Sequence, residues 1–455
     1  MVERLRKSLL YTFGISDLFF TLMVGTELFL FSAFLTDYAQ FPLKIVSQIL
    51  LITSLFDIVC ALVGGVILQK VNLKFGGKYR SWLLIGPPLV APLYVLQFVK
   101  IGDFSTAAVI IIVTFVASHM LFNVVYAATG SMVGRLSQVP AERTIMSTSR
   151  AQGASAASLI FSLAGLPMIT YFGARTSKLT GFPITVAIFA VLMILGYWYI
   201  YRMTAGKDPY GDSAANAAGP QNKQPLKDIL RAVFQNRPLL LLICADTFNN
   251  TCTFFVAAFA FYYFTYVIGN AAFLSVFILV FSIAALAGTL VAPGIGVKLG
   301  KRNTYWIVLL LAACGFTSSW FLAKSAWSFT IIFGVSGALQ YIASSMNTAL
   351  YSDTVVYGQW KTGKDIRAFT MSLLVLPIKI GLFFRSAIIS VGLIAIGFVA
   401  NQDPTPEVVR GIRAIMTFAP AAAAAIAALI FSLGYRIDDK NVVGMQDEIA
   451  ARTAQ

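Results

Sequence analysis

Eight ionisable side chains interrupt runs that are otherwise apolar. Asp17, Glu27, Asp57, Arg150, Asp246, Lys379 and Arg385 carry charge, and His119 is the lone histidine. A charge held at the centre of a bilayer costs at least ~2.5–3.5 kcal/mol, so each of these groups needs a partner or a task. A buried carboxylate holds a hard cation with its oxygens, or carries a proton once burial makes protonation accessible. An arginine fork grips a carboxylate or two sugar hydroxyls bidentately. An imidazole relays a proton near neutral pH. Four acids face three bases, so mutual pairing neutralises most of the set.

Asp57 sits in SLFDIVCALVGG, where helical spacing puts Cys60, Ala61 and Gly64 on its face. Small neighbours leave room for an ion or for a close helix. Two readings stand: a coupling-cation ligand or proton carrier, and a structural salt bridge, for example to Arg150. His119 and Asn123 are four apart in SHMLFNVVY and stack on one face with Ala127. They read as a proton relay with a hydroxyl-binding amide, or as a satisfied interhelical hydrogen bond. Lys379 lies beside Pro377 and Gly381, where a helix bends. Arg385, six residues on, is about 240° around the same helix, so one of the two cations is expected to be structural. Asp246, Asn249 and Asn250 make one polar face; Gln340, Tyr341, Ser344 and Asn347 make another. Such stripes line a wet path or hold helices together by hydrogen bonds. The residues alone assign no role to Glu27, Asp246 or Arg385.

The elements that carry these groups follow from composition. Of 455 residues, 58% are hydrophobic and 12% charged, against roughly 25% charged in soluble domains. That excludes a cytosolic enzyme, a disordered chain and a nucleic-acid binder, despite a net charge of +15. A spanning helix needs about 20 mostly apolar residues. Twelve such segments are expected, near 9–36, 43–69, 81–100, 105–133, 145–172, 181–201, 238–268, 271–297, 304–323, 327–352, 368–400 and 409–435. The expected organisation is a six-helix bundle over 1–202, a polar cytoplasmic linker over 203–236 with a short surface helix at its end, and a second bundle over 237–455. Most of the 34 Lys and Arg residues fall in one alternate set of loops and in the termini. The positive-inside rule then makes both termini cytoplasmic and the protein a multi-pass plasma-membrane protein. The N-terminal stretch, with Arg4, Arg6 and Lys7, leads into a helix too long for a signal peptide.

A weak internal repeat supports two halves. LKFGGKYRSW follows the second segment and VKLGKRNTYW the eighth, each after a glycine-containing helix end. Two six-helix halves in parallel repeat match a major-facilitator-type transporter. Gly76–Lys78 lacks the spacing and the Ser/Thr of a phosphate-binding loop, which argues against ATP-driven transport by this chain. Cys60, Cys244, Cys252 and Cys314 form no C-x-x-C pair, and a single histidine excludes a His-built metal site. No cofactor is expected.

Specific motifs carry a family resemblance. The second segment has Asp57, Ala61 and Gly65, followed by Gly77, Lys78, Arg80, Ser81 and Trp82. The first has Tyr11 and Ser16-Asp17 at its start and Thr36-Asp37 at its end, and YGQWKTGKDIRAF runs from Tyr357 to Phe369. Together with Arg150 and Lys379 this resembles the glycoside–pentoside–hexuronide:cation symporters of the major facilitator superfamily. The resemblance implies an all-α membrane protein of twelve transmembrane helices, importing a sugar or glycoside with a cation by alternating access. With the residue chemistry above, it points to a substrate set of Asp17, Thr21, Asn123, Tyr126, Arg150 and Lys379, and a cation-coupling set of Asp57, His119 and Asn123. Ala61 stands where the family has a second acid, and Asn123 where the family site has an acid on the fourth helix. A sodium site built from three carboxylates would keep only Asp57, so a proton is favoured over sodium. The expected partners are a sugar or glycoside, the coupling ion and the bilayer, with no nucleic acid, and a monomer is expected. A hexuronide symporter is the nearest alternative. A lipid-moving or non-transporting sensor relative is the alternative of another class; the short polar tail after Arg436 offers no regulatory domain for a sensor.

Overall fold

The computed structural model describes residues 5–71, 73, 76–137, 140–208, 233–363, 370 and 373–453. The chain divides into two compact units, one over Met1–Gln221 with Val399–Gln402, the other over Asn222–Phe398 with Asp403–Gln455. Most of the expected linker, and part of the loop between Tyr357 and Phe369, lie outside the described residues.

In the first unit the helices are α1 Lys7–Thr12, α2 Ile15–Ala33, α3 Leu43–Lys70, α4 Arg80–Leu96, α5 Phe104–Leu136, α6 Pro140–Arg175 and α7 Gly181–Met203. In the second they are α8 Arg237–Tyr262, α9 Phe273–Leu299, α10 Lys301–Leu322, α11 Ala326–Thr362, α12 Val375–Ala395, α13 Pro406–Gly434 and α14 Asp439–Thr453. Among the described residues, eleven helical stretches are long and apolar enough to cross a membrane, and α4 is a shorter apolar helix. At 17 residues α4 rises ~26 Å, the low end of what a span requires. Outward faces carry Leu163, Leu290 and Val297, 65%, 74% and 87% exposed, as a lipid-facing surface requires.

The internal repeat is visible in which helices pack. In the first unit the main pairs are α3 with α5, α4 with α5, α4 with α7, α2 with α7 and α2 with α6. The second repeats all five, as α9 with α11, α10 with α11, α10 with α13, α8 with α13 and α8 with α12. Both first helices also end in the same way: α2 runs into a π-helical turn at Phe34–Tyr38, and α8 into one at Tyr263–Val267.

Several boundaries differ from the sequence expectation; α11, for one, runs past residue 352 to Thr362. The first span is not one helix but α1 and α2, interrupted around Phe13–Gly14. There the Gly14 backbone N–H donates to Ser149 Oγ at 2.9 Å, and a Cβ on Gly14 would collide with the Ser149 carbonyl. Gly153 likewise has no room for a Cβ beside the Gly14 carbonyl, so α2 and α6 cross backbone against backbone. The third span stops at Leu96, short of residue 100, where Phe98 and Val99 close turns. The fifth expected span, α6, starts five residues early, at Pro140. The tail beyond Arg436 is not featureless: α14 packs on α11, and the Trp360 indole N–H donates to Glu448 Oε2 at 2.6 Å.

Candidate functional site

The break at Gly14 decides where Asp17 stands. It places Asp17 in the first turn of α2, where the helix dipole favours a carboxylate. Arg150 on α6 reaches it with a forked contact: Nε lies 3.0 Å from Oδ1 and 2.9 Å from Oδ2, and a terminal nitrogen lies 2.8 Å from Oδ1. The side chains are 7% and 17% exposed, so the pair is largely desolvated. This excludes the alternative in which Arg150 bridges Asp57. The Arg150 guanidinium also lies over the Tyr126 ring, 5.1 Å from its centroid. Its other terminal nitrogen faces Gly130, where a Cβ would sit only 3.2 Å away. Tyr126 is 46% exposed and stacks on Phe20 at 5.2 Å. Asp17, Tyr126 and Arg150 thus form one cluster, part buried and part open. Thr21, half-buried, is one turn beyond Asp17 on α2.

A second cluster brings together four helices of the same unit. His119 Nε2 on α5 lies 3.3 Å from Glu27 Oε2 on α2. Its Nδ1 faces the Phe115 carbonyl at 3.0 Å, and the ring stacks on Phe115 at 3.8 Å and 6°. Tyr94 on α4 flanks the imidazole at 6.2 Å. Its hydroxyl is within electrostatic reach of both Glu27 and Asp57. Asp57 on α3 is buried at 6% exposure. Asn123 occupies the α3–α5 contact, where a Cβ on Gly64 would sit 3.0 Å from its own; its amide donates to the His119 carbonyl at 2.7 Å. Sequence reasoning left Glu27 without a role. The signal was present, since a lone buried histidine must find a partner and Glu27 is one of four acids inside the spans.

In the second unit, the two polar stripes meet. Asn347 on α11 donates to Asp246 Oδ1 on α8 at 2.6 Å, and Asn250 donates to the same oxygen at 3.1 Å. Asn249 donates to Ser344 Oγ at 3.0 Å, and Gln340 to the Asn249 carbonyl at 2.7 Å. These bonds join α8 to α11, so the stripes act as interhelical clamps. Lys379 and Arg385 lie on α12, Lys379 half-buried and Arg385 buried, and Gly381 packs directly on Asn250 of α8.

The repeated basic loops share a role rather than a register. Arg80 donates to the Tyr201 carbonyl at 2.7 Å, near the end of α7. Arg302 donates to the Tyr435 carbonyl at 2.7 Å, just past α13. The two arginines occupy different positions in their loops. Lys301 pairs with Asp353 at 2.7 Å. Asp208, unassigned from sequence, caps α4 by accepting from the Tyr79 and Arg80 backbone N–H groups at 2.6 and 3.0 Å, and faces Arg135 at 3.6 Å.

Residues 12–439 match the family model described as MFS/sugar transport protein. The chain belongs to this family. It is therefore a multi-pass membrane transporter of the sugar-transport class, not an enzyme. This sugar transporter is 26% identical over 441 residues to "Uncharacterized symporter YjmB" of Bacillus subtilis (strain 168), covering 96% of this chain and 93% of that one. It is 26% identical to "Glucuronide carrier protein homolog" of Escherichia coli (strain K12), covering 93% and 91%. Its fold is similar to that of a D-xylose-proton symporter, with a TM-score of 0.67 at 14% identity, covering 94% and 98%. The family match and the two sequence relatives support the glycoside–pentoside–hexuronide symporter-like assignment, and the solved structure supports the fold.

Proposed function

We propose that this chain imports a sugar or glycoside together with a proton, by alternating access of two six-helix halves, as a monomer in the plasma membrane with both termini cytoplasmic. In this reading α4 is the twelfth span, and residues 203–236 link the halves on the cytoplasmic side. The observation that carries it is the forked Arg150–Asp17 pair over the half-exposed Tyr126 ring. Such a pair offers donors, acceptors and an aromatic face, the three things a sugar ring uses. The proposed substrate set is Asp17, Thr21, Asn123, Tyr126 and Arg150, with Lys379 balancing charge when the site is empty. Asp57 carries the coupling ion, assisted by His119 and Asn123. A proton is preferred to sodium because, by the family resemblance, Ala61 and Asn123 stand where a three-carboxylate site would need acids.

A hexuronide is the second reading, favoured by the relative named as a glucuronide carrier homolog. Against it, Asp17 already satisfies the Arg150 fork, which leaves one terminal nitrogen for a hydroxyl better than for a second carboxylate. The test is a thermal-shift screen of the purified protein over neutral glycosides, pentosides and uronates, with and without sodium. Stabilisation by a neutral glycoside that is indifferent to sodium supports the main reading. Stabilisation by uronates alone establishes the second, and a sodium requirement overturns the proton assignment.

A further inference from the structure

We propose that Glu27 and His119 form a proton-binding pair holding one shared proton, beside Asp57 and distinct from it. Its use in coupling rests on the proton-symport reading above; its existence does not.

The Phe115 carbonyl only accepts, so at 3.0 Å it fixes a hydrogen on His119 Nδ1. Ser118 agrees: its hydroxyl donates to the same carbonyl at 2.8 Å and so turns a lone pair toward Nδ1, 3.3 Å away. The only other ring nitrogen, Nε2, then faces Glu27 Oε2 at 3.3 Å. Without a further hydrogen this is a lone pair against a carboxylate. Oε2 is buried and accepts no aligned hydrogen bond among the described residues. One proton between Nε2 and Oε2 resolves the conflict, whichever atom holds it. With it the pair is neutral overall; without it the pair carries −1 in a low-dielectric site, which is costly.

The surroundings suit a guarded proton. Phe115, Phe122 and Tyr94 wall the imidazole at 3.8, 5.1 and 6.2 Å. Among the described residues, Tyr94 from α4 flanks the imidazole and has Asp57 from α3 within electrostatic range, while Arg150 from α6 is held by Asp17. The pair also spans two of the helices that carry sugar-binding candidates. Asp17 lies on α2 ten residues before Glu27, ~15 Å along the axis, and Tyr126 on α5 two turns after His119. Gaining or losing the proton therefore changes the force between α2 and α5.

The chain has one histidine, so its imidazole signals need no assignment. The experiment is nitrogen NMR of histidine-labelled full-length protein in lipid nanodiscs, titrated with pH without substrate, for the native chain, Glu27→Gln and Glu27→Asp. The expected result is an Nδ1 that stays protonated throughout and an Nε2 that switches. The pH of that switch should move by about one unit or more in Glu27→Gln, and largely return in Glu27→Asp. An Nε2 that keeps its proton while Nδ1 switches overturns the proposal, as does a switch unaffected by Glu27→Gln. If Glu27→Gln does not fold, the native tautomer and the Glu27→Asp shift decide. Because no transport is measured, failure here leaves the symport reading intact, and failure of uphill transport leaves this pair intact.

Discussion

At the scale of single residues, the substrate hypothesis rests on a fork. Arg150 presents its planar guanidinium to both oxygens of Asp17 while lying over Tyr126. Lysine keeps the charge but cannot reproduce that geometry. Arg150→Lys should weaken substrate binding at least ~10-fold, the loss of one charge-assisted hydrogen bond, and Arg150→Ala should abolish it. A binding titration in detergent that finds unchanged affinity for either variant removes Arg150 from the site. The groups themselves were legible in the sequence, because a charge inside an apolar run announces itself. Their pairing was not. Asp17 and Asp57 were equally available to Arg150, and only the crossing of α2 on α6 made the choice.

At the scale of elements, glycine controls how close two helices come. Gly14 and Gly153 let α2 and α6 meet backbone to backbone, which brings Arg150 within reach of Asp17. Gly153→Leu should force the helices apart and cost ~1–3 kcal/mol, read as a lower melting midpoint together with lost binding. A variant that melts normally and binds normally would show that the crossing does not position the fork. Asp208 controls a helix start in the same way. Asp208→Ala strips the acceptor from the Tyr79 and Arg80 backbone N–H groups at the start of α4 and should cost ~1–2 kcal/mol. Asp208→Asn, which keeps one acceptor oxygen, should recover part of the lost melting temperature. The all-helical membrane class and the apolar spans were readable from hydropathy. The break at Gly14 and the early end of α4 were not, since both depend on neighbours distant in sequence.

At the scale of the whole molecule, the proposed cycle needs one group whose ionisation is tied to substrate movement. Asp57→Asn should abolish uphill accumulation in proteoliposomes while sparing exchange of substrate down its gradient. Accumulation that persists would move the coupling away from Asp57. The driving gradient should be protons: collapsing the pH difference should stop accumulation, and replacing sodium with potassium should leave it unchanged. Accumulation that follows sodium would reverse that assignment.

The sequence alone determined the membrane class, the apolar segments, the repeat and the charges that lie inside those segments. Each of these follows from composition and short-range period, which are local properties of a chain in lipid. The tertiary structure decided which charges meet. It gave Arg150 to Asp17, Glu27 to His119 and Asn347 to Asp246, and turned two polar stripes into clamps between α8 and α11. The physical reason is that a buried ion's partner is set by helix crossings. Those crossings are fixed by small residues and backbone contacts more than a hundred positions apart, as between Gly14 and Ser149, which no local pattern records.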